Sequence, residues 1–135
     1  MKTPNQIIQQ MLESDAYSNW LGITVQSIHL GKCSLSCTVT NEMLNGFGIA
    51  HGGITYALSD SALAFASNSY GNQCMSIETS IAHIKSVQLG DLLTATCTEI
   101  QKGKTIARYL VEVVNQRQEL VANFNGTVFR SEKIW

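Results

Sequence analysis

Proline is almost absent from this chain. The single residue, Pro4, lies beside the N-terminus, so no later helix or strand has to tolerate a missing N–H. Charge is scarce as well: Asp, Glu, Lys and Arg make up 14% of the 135 residues, against about a quarter in ordinary domains, while apolar residues reach 44%. So small a domain with so few charges is expected to hide surface by self-association, because lasting interfaces resemble a core cut in half. Net charge is −1, and no five consecutive residues hold more than two Lys or Arg, which leaves no basic stripe to neutralise nucleic-acid phosphates. No window of 18 apolar residues exists to span a membrane. The N-terminal MKTPNQIIQQMLESD lacks the apolar core of a secretory signal, so the cytoplasm is the expected location.

Cysteine occurs four times, at Cys33, Cys37, Cys74 and Cys97. Only the first two are close, and both fall on the apolar side of an alternating segment beside Leu35 and Val39. A zinc site needs a second close pair, which is missing. Buried, reduced thiols acting as small hydrophobes are the expectation, and no metal or cofactor is implied.

The chain reads as one domain over residues 1–135, with no internal repeat, low-complexity tract or linker. Thr3-Pro4-Asn5-Gln6 is a helix start, and Ile7, Ile8, Met11 and Leu12 follow at helical spacing, predicting a helix over 4–14. Tyr17 and Trp20 then lead into strands over 22–30 and 32–40. In the second, Cys33, Leu35, Cys37 and Val39 alternate with Ser34, Ser36, Thr38 and Thr40, the period of a half-buried strand. Residues 54–69 lack Pro and Gly and are Ala-rich and apolar on nearly all sides, which predicts a buried helix, with Gly71 as its C-terminal cap. Four further strands, about 74–86, 91–102, 105–115 and 119–130, are joined by short turns and read as an antiparallel meander. A helix apolar all round needs a sheet to cover it. The predicted architecture is therefore α+β, a curled antiparallel sheet wrapped around a central buried helix, known as the hotdog fold.

The chemistry concentrates in NGFGIAHGGITYALSD, residues 45–60. A helix beginning at Gly52-Gly53 offers unpaired backbone N–H groups, and glycine lets a ligand approach them closely. Such a terminus holds a phosphate or the oxyanion of an acyl-transfer reaction. Asp60 lies eight residues after Gly52, close to two helical turns, so one pocket is expected to be lined by both. A carboxylate on a buried helix needs a partner, a wet cleft or a chemical task. Two readings of Asp60 stand: it bonds to strand backbone or to Ser61, or it is a catalytic group whose ionisation the helix field favours. His51 is equally a capping group or a site residue, and Asn45 can simply hold an Asn-Gly turn. Gly46-x-Gly48 has His51 where a dinucleotide fingerprint needs glycine, and no G-x-S-x-G elbow presents Ser59 or Ser61 as a nucleophile.

Asn45-x-x-Gly48-x-x-His51-Gly52-Gly53, with Asp60 seven residues on, resembles the motif of the PaaI-type hotdog-fold acyl-CoA thioesterases. The resemblance extends over nearly the whole chain, through Met43–Gly46, Ser67–Ser69, Gly90–Ala95 and Val114–Gln116. It implies hydrolysis of an acyl-CoA thioester to a free acid and coenzyme A, the coenzyme being part of the substrate. By position, Asp60 is the acidic residue, as nucleophile or general base. On this resemblance the Gly52 N–H would polarise the carbonyl, Asn45 would position water or carbonyl from a neighbouring subunit, and His51 would orient the loop or contact the thioester region. Ser76 is the assisting hydroxyl, with Thr79 as its alternative. Gly53, Thr79, His83 and Lys85 are the implied substrate-binding positions. Relatives often carry Arg-Pro where this chain has Lys85-Ser86, so Lys85 is either a point-charge contact for a coenzyme A phosphate or a solvated surface lysine. His83 stands where an aromatic or apolar residue is common, and speaks to the acyl group only if it faces the acyl tunnel. The implied assembly is a dimer of dimers. A non-catalytic acyl-CoA binding module is the competing reading. A hotdog dehydratase is disfavoured because no Pro follows His51.

Overall fold

The protein is described here by a computed structural model covering residues 1–135. Helix α1 spans Pro4–Ser14, where the sequence places it. Gln6 N–H donates to Thr3 Oγ1 at 3.3 Å and Thr3 N–H donates to Gln6 Oε1 at 2.9 Å, a reciprocal capping box. Tyr17 and Trp20 do not run straight into a strand. They belong to a second short helix, α2 (Ala16–Leu21), which Asp15 caps by accepting the Ser18 N–H at 2.9 Å and which ends at Gly22 with φ +70°.

Strands β1 (Thr24–His29) and β2 (Lys32–Thr38) form a hairpin, followed by a 3₁₀ turn at Asn41–Met43 and helix α3 (Gly52–Asn68). Strands β3 (Asn72–His83), β4 (Leu92–Lys102), β5 (Ile106–Val114) and β6 (Leu120–Ile134) complete one six-stranded antiparallel sheet in the order β1-β2-β4-β5-β6-β3. The expected four-strand meander is therefore confined to β4–β6. Both edges of β4 are occupied, by β2 and β5, so β3 lands on the far side of β6. Helix α3 makes that transfer possible: four strand spacings amount to about 19 Å, and the 17 residues of α3 reach about 25 Å.

The expectation of a sheet curled around the helix is corrected by this topology. The sheet is open and not strongly curled: β1 and β3 are free edges that do not pair with each other. Nor is α3 covered on all sides. Ile54, Leu58, Ala62, Leu63, Phe65 and Ala66 are buried, whereas Tyr56, Ala57, Asp60, Ser61 and Ala64 are only half-buried. Alanine and small polar residues suit a buried face and an interface face equally, and composition does not separate the two. The helix stops at Asn68, and Gly71, at φ +101°, makes the turn into β3 just beyond it.

The core lies between α3 and one face of the sheet. Cys33, Leu35 and Cys37 sit opposite Cys97, Ala95 and Leu93 in register, all buried. All four cysteines are free, and burial pushes the thiols of Cys33 and Cys37 up to about 12 and about 11, so they stay protonated and inert. Gly126 of β6 is small of necessity: a Cβ there would come within 2.5 Å of Leu63 on α3. No helix is long and apolar enough to cross a membrane.

Candidate active site

The N-terminus of α3 is fixed by its approach loop. The Ala50 N–H donates to Val87 O and the His51 N–H to Met43 O, both at 2.8 Å. Asn45 holds the preceding turn: its Oδ1 accepts the N–H of Phe47 at 2.9 Å and of Ile49 at 3.4 Å. The same Gly-rich turn places Gly48 at φ +76°. The turn-holding and site readings of Asn45 are thus not exclusive. With Oδ1 committed to the turn, Nδ2 has no partner in the chain and is left as a donor.

Of the first backbone donors of α3, all but one are claimed. His51 is the N-cap, and its Nδ1 accepts the Gly53 N–H at 2.8 Å, which places the ring proton on Nε2. The Ile54 N–H returns to His51 O at 2.9 Å. Gly53 therefore serves the cap and offers no N–H to a substrate, and a Cβ on it would meet His51 Nδ1 at 3.0 Å. Only the Gly52 N–H remains free, at the positive end of a four-turn helix. It opens into a cleft of about 350 Å³ lined by Asn45, Gly52, Thr55, His83 and Lys85 among others. Lys85 is ion-paired with Glu119 on the rim of this cleft.

Asp60 lies elsewhere. Eight residues at about 100° each carry the chain about 80° past two full turns. Gly52 and Asp60 accordingly face different clefts, and the expected shared pocket does not exist within one chain. Asp60 sits on a ridge between two hollows. One, of about 240 Å³, also holds Ser76, Ser67, Cys74 and Leu63, and the other, of about 250 Å³, holds Asp15, Tyr17, Ser18 and Ser61. Its carboxylate accepts no hydrogen bond and forms no ion pair in the chain. Ser61 is committed elsewhere: Ser18 Oγ donates to Asp15 Oδ2 at 2.6 Å, so at the 2.9 Å contact between Ser18 and Ser61 it is Ser61 that donates. The structural reading of Asp60, as a group bonded to Ser61 or to strand backbone, finds no partner here. Burial holds the Asp60 carboxyl above its ordinary value, not below it as a helix field would. The reason is distance, since the field of a helix end fades within the first turn and Asp60 lies in the third.

Edge strand β3 links the two regions. Ser76, Thr79 and His83 pair with Val128, Gly126 and Ala122, and so share the helix-facing side of the sheet. Ser76 lines the Asp60 hollow and has no hydrogen bond; His83 lines the Gly52 cleft. Thr79, between them, lines neither. Its hydroxyl is bonded to that of Tyr56, whose ring meets Phe124 edge-on with centroids 5.3 Å apart. Two residues went unread in the sequence. Thr55 and Tyr56 anchor β3 side chains to α3, and neither stands out in an apolar helical run. No cluster of three or more His, Cys, Asp or Glu is placed to hold a metal ion.

Comparison with known proteins identifies the family. Residues 47–122, which include Gly52, Asp60 and all of β3, match the model of the Thioesterase superfamily. Acyl-coenzyme A thioesterase PaaI of Escherichia coli K12 is 39% identical over 120 residues, 89% of this chain and 86% of that protein. The structure of the E. coli PaaI protein superposes with a TM-score of 0.95 at 37% identity, covering 97% of this chain and 95% of that one. A Streptococcus mutans UA159 protein bound to acetyl CoA superposes at 0.81 with 30% identity, over 84% and 91% of the two chains. On these matches the chain belongs to the Thioesterase superfamily, among the PaaI-type hotdog-fold acyl-CoA thioesterases.

Proposed function

We propose that this enzyme hydrolyses an acyl-CoA thioester at a site assembled from two copies of the chain, with Asp60 of one copy working on a carbonyl held by Gly52 and Asn45 of the other. The observation that carries this reading is the polarity of β3. This strand is a free sheet edge twelve residues long that exposes the apolar side chains of Met75 and Ile77. Two copies pairing antiparallel along β3 bring the Ser76 end of one beside the His83 end of the other. Asp60 travels with the first end and Gly52 with the second. Each half-site then receives what it lacks, and the two-fold makes both sites equivalent.

The chemistry follows from the unclaimed groups. The thioester carbonyl oxygen accepts the Gly52 N–H, whose helix dipole stabilises the negative charge that develops on it, and the Asn45 Nδ2 donor adds to that stabilisation. The Asp60 carboxylate takes a proton from an attacking water, or attacks the carbonyl carbon itself; Ser76 orients that group. The tetrahedral intermediate collapses with loss of the coenzyme A thiolate, leaving the free acid where water attacked, or an anhydride with Asp60 that a water then hydrolyses to the free acid and the restored carboxylate. The family membership, the E. coli relative's description as an acyl-coenzyme A thioesterase and the acetyl CoA in the S. mutans protein support this substrate class.

Subunit complementation tests the shared site. Asp60→Asn and Asn45→Ala proteins, each inactive alone, are unfolded together, refolded as a mixture and assayed for thiol release from a panel of short-chain, long-chain and aromatic acyl-CoA esters. Hybrid dimers restore one intact site in two, so recovery of about one quarter of wild-type activity is expected. A mixture as inactive as its components shows that both residues act within one chain. Turnover by neither wild type nor mixture, with tight binding of the esters, favours a binding module.

A further inference from the structure

His83 is not needed for the reaction as written above, yet it is the most specifically placed titratable side chain in the Gly52 cleft. It projects from the helix-facing side of β3 onto the open face of Gly52: a Cβ at Gly52 would lie 3.0 Å from Nε2 and 3.3 Å from Cε1. Glycine at position 52 therefore does more than free an N–H. It leaves room for an imidazole beside it.

The two ring nitrogens have different environments. Nδ1 lies 3.3 Å from Thr55 Oγ1, and that hydroxyl donates its own proton to Gly52 O at 3.1 Å. Thr55 is thus an acceptor toward the ring, and Nδ1 carries a proton whether the imidazole is charged or neutral. Nε2 is the nitrogen that gains and loses a proton, and it borders the cleft. A carbonyl oxygen bound to the Gly52 N–H would lie beside it, with the sulfur one bond beyond the same carbon. Orientation of one ring nitrogen by a third group so that the other meets the reacting atoms is the arrangement expected of an acid–base residue.

We propose that His83 is a catalytic residue, the acid that protonates the departing sulfur. This role rests on the thioesterase reading above and adds a step to it. When the tetrahedral intermediate collapses, the C–S bond breaks and its electron pair stays on sulfur. The Nε2 proton moves to that sulfur to give the free thiol, and the neutral imidazole takes a proton back from solvent. The charged and titratable groups around His83 are His51 at the helix cap, Lys85 with its partner Glu119 on the cleft rim, and, in the assembled site, the partner subunit's Asp60.

The test varies the leaving group. Rates at saturation for an acyl-CoA and for the S-phenyl thioester of the same acid are measured in wild type, His83→Gln and His83→Phe. Thiophenol is the more acidic thiol and departs without help. His83→Gln and His83→Phe are expected to slow the acyl-CoA by roughly 10- to 100-fold, the lower end of acid catalysis because a thiolate is already a fair leaving group, and the S-phenyl ester by less than about 3-fold. His83 is exposed, and thermal melts check that the variants fold. Equal losses on both esters overturn the acid role and leave His83 a lining residue. Wild-type protein that turns over neither ester overturns the hydrolase reading, and this role with it.

Discussion

The two ends of β3 border two differently built half-sites. At the Gly52 end nearly every polar group has a partner: His51 caps Gly53, Asn45 Oδ1 holds its own turn, Thr55 bridges Gly52 O and His83, and Lys85 is paired with Glu119. Against that background the Gly52 N–H, Asn45 Nδ2 and the outer ring nitrogens of His51 and His83 stand out as unclaimed. At the other end the pattern reverses. Asp60 and Ser76 have no partner in the chain, while Ser61 beside them is fully engaged with Ser18. One region presents free N–H donors to a cleft, and the other carries an unsatisfied carboxylate.

The strongest way to break this contrast is Asp60→Asn. Turnover is expected to fall by about 10² to 10⁴, the range for loss of a general base. Burial raises the folded-state value of Asp60, so its contribution to stability is greatest at low pH and is lost as pH rises through that value. Asparagine cannot ionise, so Asp60→Asn is expected to melt higher than wild type near pH 7, by calorimetry, while being nearly inactive. A variant that melts lower and loses activity through unfolding makes Asp60 structural.

At the other half-site, Asn45→Asp keeps Oδ1 to hold the turn and removes the Nδ2 donor. A loss of at least about 10² in kcat is expected, the effect of one missing oxyanion donor increased by a carboxylate beside the developing negative charge, with little change in melting temperature. A large drop in melting temperature instead assigns Asn45 to the turn alone. The smallest effect is expected from His51→Ala. Removal of the cap costs about 0.5–2 kcal/mol of stability, read as a lowered urea midpoint, and frees the Gly53 N–H to compete with that of Gly52. His51→Asn, which can cap, is expected to restore most of that loss. If it restores stability but not rate, His51 contacts substrate directly.

Much of the fold was legible in short patterns. The capping box at Thr3–Gln6, the period-2 run from Cys33 to Val39 and the Pro- and Gly-free stretch after Gly53 each report a local preference, and each element formed where expected. The α2 helix was harder to see because six residues supply too little periodicity. Thr79 and Gly53 were placed in the substrate site by resemblance, but their polar groups are taken by Tyr56 and His51, partners that no spacing rule connects to them.

The sequence by itself determined most of the elements, a helix start at Gly52-Gly53 and a carboxylate on a largely apolar helix, because caps, periodicity and glycine act over a few residues. Only the tertiary structure decided that the sheet stays open, that β3 crosses to the far edge, that His51 takes the Gly53 amide and that Asp60 finds no partner. The first two depend on which strand edges are already paired, and the last on which groups the other elements bring near α3. These three are long-range conditions that link residues distant in sequence, whereas the 80° offset between Gly52 and Asp60 follows from their spacing along one helix.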